Sequence, residues 1–357
     1  MNILLLEDSS SDIESCEASL GRFLAEHPEK RIELLKAQTI EQAKSFLDNP
    51  KSHIEGAIID LKIGSDNLAG DEIIGYFIDE LNLRTPVIIV TGTPDAVNDN
   101  RNYADVCKKG AVDYSEAFSL LVQIQETGLY NVMGENGTLE KLLTNIFQNN
   151  IVPNLKRWID YSQRYTTDDV KRAFTRYVLS HVMRELDGDQ DLFFPEECFL
   201  FQETSQYPRP GEFFERCTGN RKGEKWVVLT PPCDLAVRNN DDGSTSINVT
   251  GIQIALFEDM DNYSPKYSDP LTEKQRKNLR EARKNPSRLY LYFLPTTDSL
   301  RGGFINFRTV TTVTLETLHS EYSSCNLVIS PPFFKNILAK FSNYYSRQGQ
   351  PELMSYE

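Results

Sequence analysis

The sequence predicts an α/β protein: a doubly wound parallel sheet over the first third, then a helical stretch, then a second α+β domain. Three observations carry this. Residues 1 to about 130 alternate apolar strand-like runs with amphipathic helix-like runs through about five units, the pattern of a parallel sheet wound by crossover helices. The central run Ala57-Ile58-Ile59 is continuously apolar, as a strand covered on both faces must be. Beyond residue 190 the pattern changes to short strand-like runs separated by proline- and glycine-bearing turns, which predicts a small, partly open β-barrel or two packed sheets.

In order, Asn2 to Leu6 reads as the first strand, ending in Glu7-Asp8. Ser9, Ser10 and Ser11 offer N-caps for a helix to about Ala25, with Ile13, Leu20, Phe23 and Leu24 for its inner face. Arg31 to Leu35 is the second strand, and Thr39 opens the second helix. The third strand ends at Asp60, and a polar loop to Gly70 leads to a helix from Asp71 to about Leu81. Val87 to Val90 is a fourth strand ending at Thr91. A short fifth strand, Asp105 to Lys108, precedes a helix from about Glu116 to Glu126.

Composition sets the outer limits. A chain of 357 residues accommodates two domains, each with its own core. No apolar run approaches the roughly 18 residues that span a bilayer, and Asn2 leads straight into an apolar strand without a basic leader; both point to a cytoplasmic protein. The six cysteines lack the paired spacing of a zinc site or a disulfide framework. A net charge of −14 argues against broad nucleic-acid binding.

The strand ends form a constellation: Glu7-Asp8 after strand one, Asp60 after strand three, Thr91 after strand four and Lys109 after strand five. Open α/β sheets place their ligand sites at the carboxyl ends of their strands. Over residues 1 to about 130 this resembles the receiver domain of two-component response regulators. The resemblance implies a flavodoxin-like strand order 2-1-3-4-5, with Asp60 as phosphoacceptor and Mg²⁺ held by Glu7, Asp8, Asp60 and the backbone carbonyl of Lys62. It further implies that Thr91 binds a phosphoryl oxygen, that Lys109 is its counter-ion, and that a histidine kinase is the donor. These residue types suit that chemistry, because Mg²⁺ takes oxygen ligands and an aspartate can form an acyl phosphate.

Three departures from the family pattern stand out. The loop from Asp60 to Gly70 is about two residues longer than usual, Gly110 occupies the position of a customary proline, and Val106 that of a customary aromatic. The stretch from Thr91 to Lys109 leaves room for at most a stunted fourth helix. An alternative register would run strand five through Gly110 to Tyr114 and put Ala117 where the lysine belongs.

Residues 131–190 read as a helical connector. Leu139, Leu142, Leu143, Ile146 and Phe147 share a stripe, Pro153 breaks or kinks the helix, and helix resumes over Leu155 to Tyr161. A further helix runs to Leu186 with apolar residues at four-residue steps from Val170. The stripes suit domain packing, or a dimerisation or signalling connector, and a partner protein or a homodimer is expected through this connector or the C-terminal domain. No basic helix-turn-helix is present, so a DNA-reading output is not expected.

In residues 191–357, strands are expected over Lys225 to Thr230, Ile247 to Phe257, Arg288 to Pro295, Phe304 to Phe307 and Val310 to Leu315. The charged stretch from Leu271 to Ser287 reads as a solvated helical insertion, and a last helix runs to about Tyr345. Cys233, in Thr230-Pro231-Pro232-Cys233-Asp234, is the one candidate reactive thiol here, although no recognisable triad pattern accompanies it. The sequence therefore predicts a Mg²⁺-dependent response-regulator-like protein signalling to a non-DNA-binding domain. Alternatives are a receiver that only buffers phosphoryl groups and an effector enzyme using Cys233.

Overall fold

The structure is a computed structural model. It describes residues 1–49, 51–66, 68–98, 101–110, 113–186, 193–240, 242–260, 273, 277 and 289–346. The chain divides into two compact units, Met1–Asp189 and Gln190–Glu357.

The first unit contains a five-stranded parallel sheet in the order β2-β1-β3-β4-β5. Its strands are β1 (Asn2–Leu6), β2 (Glu33–Ala37), β3 (Ile54–Ile59), β4 (Val87–Thr91) and β5 (Asp105–Lys108). Helices α1 (Ser10–Glu26), α2 (Ile40–Leu47), α3 (Ala69–Gly75) and α4 (Tyr114–Glu126) connect and cover them. The caps follow local chemistry: Ser9 and Thr39 accept hydrogen bonds from the amides of Asp12 and Gln42 at the starts of α1 and α2.

Alternation along β1 builds the two faces. Ile3 and Leu5 pack with Ile13, Leu20 and Phe23 of α1 and with Phe118 and Leu121 of α4. Leu4 and Leu6 face the other way, toward Ala43 of α2 and Ile73 of α3. The sheet is thus buried on both sides, which explains the unbroken apolar run of β3.

The fourth crossover is reduced. Among its described residues it holds one 3-10 turn, Pro94–Ala96, in place of an α-helix. Strand β5 stops at Lys108, Tyr114 opens α4 and Ala117 is buried within that helix. The alternative register for strand five falls partly on residues 111–112, which lie outside the described residues. Strand two lies two residues later than expected, and α3 starts at Ala69 and closes with a π-turn over Tyr76–Glu80.

Beyond α4 come α5 (Leu129–Met133), α6 (Thr138–Ile146), α7 (Leu155–Ser162) and α8 (Thr167–Leu186). A π-turn, Phe147–Ile151, and a 3-10 turn containing Pro153 link α6 to α7. Pro153 lacks an amide proton, so the α-helical ladder cannot run unbroken through this point.

The second unit is built on a curled antiparallel sheet of seven strands, a half-barrel. Its order is β12-β13-β11-β8-β7-β14-β6. These strands are β6 (Phe199–Phe201), β7 (Glu212–Arg216), β8 (Lys225–Val228), β11 (Ile252–Asp259), β12 (Leu291–Leu294), β13 (Gly303–Val313) and β14 (Tyr322–Ile329); β9 (Arg238–Asn239) and β10 (Thr245–Ser246) form a separate ribbon. One face packs Phe213, Phe257 and Phe307 against Phe334 and Ile337 of the C-terminal helix, Pro331–Tyr345. The other packs Phe214, Trp226 and Ile254 against Leu318.

Here the sequence expectations need correction. Phe304 to Phe307 and Val310 to Val313 are one strand, β13, bent where its pairing with β11 shifts register, and Leu315 opens the helix Leu315–Glu321 instead of ending a strand. Strand β11 begins only at Ile252, and β6, β7 and β14 were not anticipated. The charged stretch 271–287 lies almost wholly outside the described residues.

One glycine is imposed by close approach. A Cβ on Gly70 would fall 2.1 Å from the Asp60 carbonyl oxygen and 2.8 Å from Leu61 Cα, both backbone atoms with little room to move. Gly70→Ala should therefore destabilise the first unit by about 1–3 kcal/mol. Urea denaturation checks this, and an unchanged midpoint would show that the backbone yields at no cost.

Candidate functional site

Sheet register brings the strand ends together. Leu6 pairs with Ile59 across β1 and β3, so Glu7 and Asp60 leave the sheet side by side. The Asp60 amide still donates to the Leu6 carbonyl at 3.0 Å. Thr91 pairs with Lys108 across β4 and β5, and the Lys109 amide donates to the Thr91 carbonyl at 2.9 Å, which aims the next side chain over the same edge.

The result is one ammonium among carboxylates. Lys109 Nζ lies 2.6 Å from Glu7 Oε2, 2.8 Å from Asp60 Oδ2 and 3.0 Å from Asp12 Oδ2. Glu7 and Asp60 are buried, at 1% and 5% exposure, whereas Asp8 is exposed. The backbone orients the acids further: the Lys62 amide donates to Asp60 Oδ1 at 3.2 Å, the Ser9 amide to Glu7 Oε1 at 3.1 Å and the Gly64 amide to Asp8 Oδ2 at 2.7 Å. Thr91 is fully buried, and its Oγ1 accepts from the Thr93 amide at 3.3 Å.

Charge balance decides what the site can hold. Burial pushes the Glu7 carboxyl above its ordinary range; hydrogen bonding and attraction from Lys109 and the Ser9 amide offset part of this, and the Asp60 charge adds to it. Burial opposes the Lys109 charge, but hydrogen bonds to Asp60, Glu7 and Asp12 outweigh it and hold the ammonium well above the ordinary lysine range. Glu7, Asp8 and Asp60 each offer a carboxylate oxygen, all within 4.8 Å of one another. With Asp12 beside them, these acids outnumber the single ammonium. An all-oxygen, electron-rich donor set of this kind fits a hard divalent cation such as Mg²⁺.

The structure brings Glu7, Asp8, Asp60 and Lys109 together and sets Thr91 at the neighbouring strand end. For Lys62 it shows the amide on Asp60. Asp12 escaped the sequence reading because it sits in the first turn of α1, not at a strand end. Its position about one turn after Glu7-Asp8, behind the Ser9 cap, was the available signal.

Cys233 belongs to the other unit and has different surroundings. The turn that carries it is anchored by buried Thr230, whose Oγ1 accepts from the Gln253 amide at 2.7 Å, and by buried Leu235. Cys233 itself is exposed and donates to Asp234 Oδ1 at 3.6 Å, an acceptor that supplies no cation or imidazole for thiolate chemistry. His319 lies in the helix Leu315–Glu321 and His181 in α8.

The Glu7 environment yields a prediction with a definite sign. An acid raised by burial contributes stability below its ordinary value of 4.5, and that contribution is lost as pH rises through the folded value. At pH 7 a charged Glu7 therefore costs stability unless a cation offsets it, and Lys109 keeps Asp60 and Asp12 as partners if Glu7 is neutralised. Glu7→Gln should raise stability in chelator-treated buffer by on the order of 1 kcal/mol, about 2–4 °C in Tm. It should also reduce the extra stability that Mg²⁺ confers. Thermal unfolding with and without Mg²⁺ reads both effects, and a destabilised variant in metal-free buffer would contradict the charge balance.

No protein-family model and no curated protein matches the chain. Among solved structures, it is similar to a response regulator receiver domain protein from Clostridium thermocellum, at 21% identity over 36% of this chain and 97% of the other, with a TM-score of 0.29. A response regulator from Thermotoga maritima matches at 14% identity over 34% of this chain and 97% of the other, TM-score 0.26. The receiver domain of the PhyR response regulator of Erythrobacter litoralis matches at 20% identity over 34% and 89%, TM-score 0.26. About a third of the chain is thus similar to solved receiver domains of response regulators.

Proposed function

We propose that residues 1 to about 130 are a phosphoryl-accepting receiver. In this reading a histidine kinase in the cytoplasm of a bacterium is the donor, and residues 191–357 are an output domain that does not read DNA. The observation that carries the reading is the position of Lys109 Nζ, 2.8 Å from a buried Asp60 carboxylate beside Glu7 and Asp8.

In the reaction, an Asp60 carboxylate oxygen attacks the phosphorus of a donor phosphohistidine. The P–N bond breaks, its electron pair leaves with the donor imidazole, and an acyl phosphate forms on Asp60. Catalysis rests on positioning and on offsetting charge at the phosphoryl oxygens. The Lys62 amide orients Asp60. Lys109 exchanges part of its carboxylate pairing for a phosphoryl oxygen, and the Thr91 hydroxyl donates to another. Mg²⁺, when bound by Glu7, Asp8, Asp60 and the Lys62 carbonyl, would supply further neutralisation. The added charge then biases the helices or the second unit.

A second reading, a receiver that buffers phosphoryl groups without output, is favoured by one feature. The β4–β5 crossover holds a single 3-10 turn among its described residues, and Val106 beside it is 37% exposed where the family carries an aromatic. Hydrogen exchange before and after phosphorylation separates the two, since a signalling receiver must alter protection outside the site.

Acetyl phosphate with Mg²⁺ should add one phosphoryl group, read by intact mass, and Asp60→Asn should abolish it. Lys109→Ala should slow labelling on the order of a hundredfold, while Lys108→Ala should leave it nearly unchanged. Equal labelling of Asp60→Asn would move the acceptor elsewhere.

Cys233→Ser should leave fold and labelling intact. A selective loss of biological activity at unchanged stability would favour the enzyme reading.

A further inference from the structure

Helices α6, α7 and α8 form a layer with almost no interior. Among the described side chains of residues 138–185 the only buried ones are Ile146 and Ile151. The short connection between α7 and α8 makes them an antiparallel hairpin. Its inner seam is aromatic: Trp158 packs on Phe174 at 4.9 Å and on Tyr177 at 5.4 Å. Helix α8 also contacts α6.

The outer surface is apolar as well. Helix α6 and the turn after it expose Leu139, Leu143 and Phe147 at four-residue steps, and α7 exposes Leu155 and Ile159 at the same step. Helix α8 exposes Leu179 and Met183, again four apart. These side chains are between 37 and 55% exposed. Helices of this length draw most of their stability from packing of an apolar face, which this layer does not supply by itself.

We infer that the α6–α8 layer is a homodimer interface, in which a second copy of this chain lays its own layer on these stripes to complete a helical bundle. Two arguments select a second copy. The exposed parts of these side chains total roughly 600 Å², taking about 200 Å² for a large side chain. A standard interface of about 800 Å² per partner is a little over half apolar, so the stripes supply the area a stable dimer needs. The flanking charges are also mixed in sign. Lys156 and Asp160 adjoin the α7 stripe, and Lys141 adjoins the α6 stripe beside Glu140, which also faces Arg84 of its own chain, so this face can meet a copy of itself without carrying one sign of charge throughout. The inference stands apart from phosphorylation, since none of these residues belongs to the Asp60 site.

Sedimentation of the full chain tests it. The wild-type protein should sediment as two copies at about 10 μM and dissociate on dilution. Leu143→Glu and Ile159→Glu together should weaken association at least about tenfold, with an unchanged helical signal by circular dichroism. Leu179→Gln, a milder change on the neighbouring helix, should weaken it in the same direction. A wild-type monomer at about 100 μM overturns the inference, and is the result expected if another part of the chain or another protein covers the stripes. A dimer equally strong in all these variants also overturns it, because the interface then lies elsewhere. Labelling of Asp60 by acetyl phosphate should be unaffected in the variants, which keeps this test separate from that of the receiver reading.

Discussion

The first unit depends on one electrostatic constraint: the Lys109 ammonium is the cation that holds Glu7, Asp12 and Asp60 at a single sheet edge. Carboxylates this close, two of them buried, repel one another and resist desolvation. Lys109 answers part of that cost through direct hydrogen bonds, and backbone amides of Ser9, Lys62 and Gly64 answer more. The negative charge that remains suits a divalent cation.

That constraint accounts for several otherwise separate features. The register of β1 against β3 and of β4 against β5 must bring Glu7, Asp60 and Lys109 to one edge, and a slip of one residue would turn their side chains away. Gly70 must be glycine because α3 starts against the Asp60 backbone. Capping of α1 by Ser9 places Asp12 within reach of Lys109. The reduced β4–β5 crossover, in contrast, supplies none of the acids Glu7, Asp8 and Asp60 of that cluster.

How much could be read from the sequence follows from the same physics. The parallel sheet was legible because its central strands β1, β3 and β4 are buried on both faces and each gives way abruptly to a polar residue, which marks both strand and site. Asp12 was not, since a carboxylate in the first turn of a helix is ordinary capping chemistry. In the second unit, β14 was hidden by its polar half, Ser323, Ser324 and Asn326. Tyr322 to Ser324 pair with β7 before the register shifts between Ser324 and Val328, where Asn326, with a φ of 53°, breaks the alternation. Strand β7 was hidden by Glu212, a buried carboxylate that accepts from the Arg209 amide and from Ser324 Oγ, so polarity there does not mark the surface. The helices were legible as helices, but spacing alone did not separate the seam around Trp158 from the outer stripes.

In the proposed function, the acidic edge of the sheet binds Mg²⁺ and a phosphoryl group on Asp60 together. Fluorine NMR with beryllium fluoride, which bonds to a carboxylate oxygen and mimics an acyl phosphate, addresses it without a kinase. Bound fluorine resonances should appear only when Mg²⁺ is added and should be absent in Asp60→Asn. Bound resonances that persist in Asp60→Asn, or none in the wild-type protein at millimolar Mg²⁺, would contradict it.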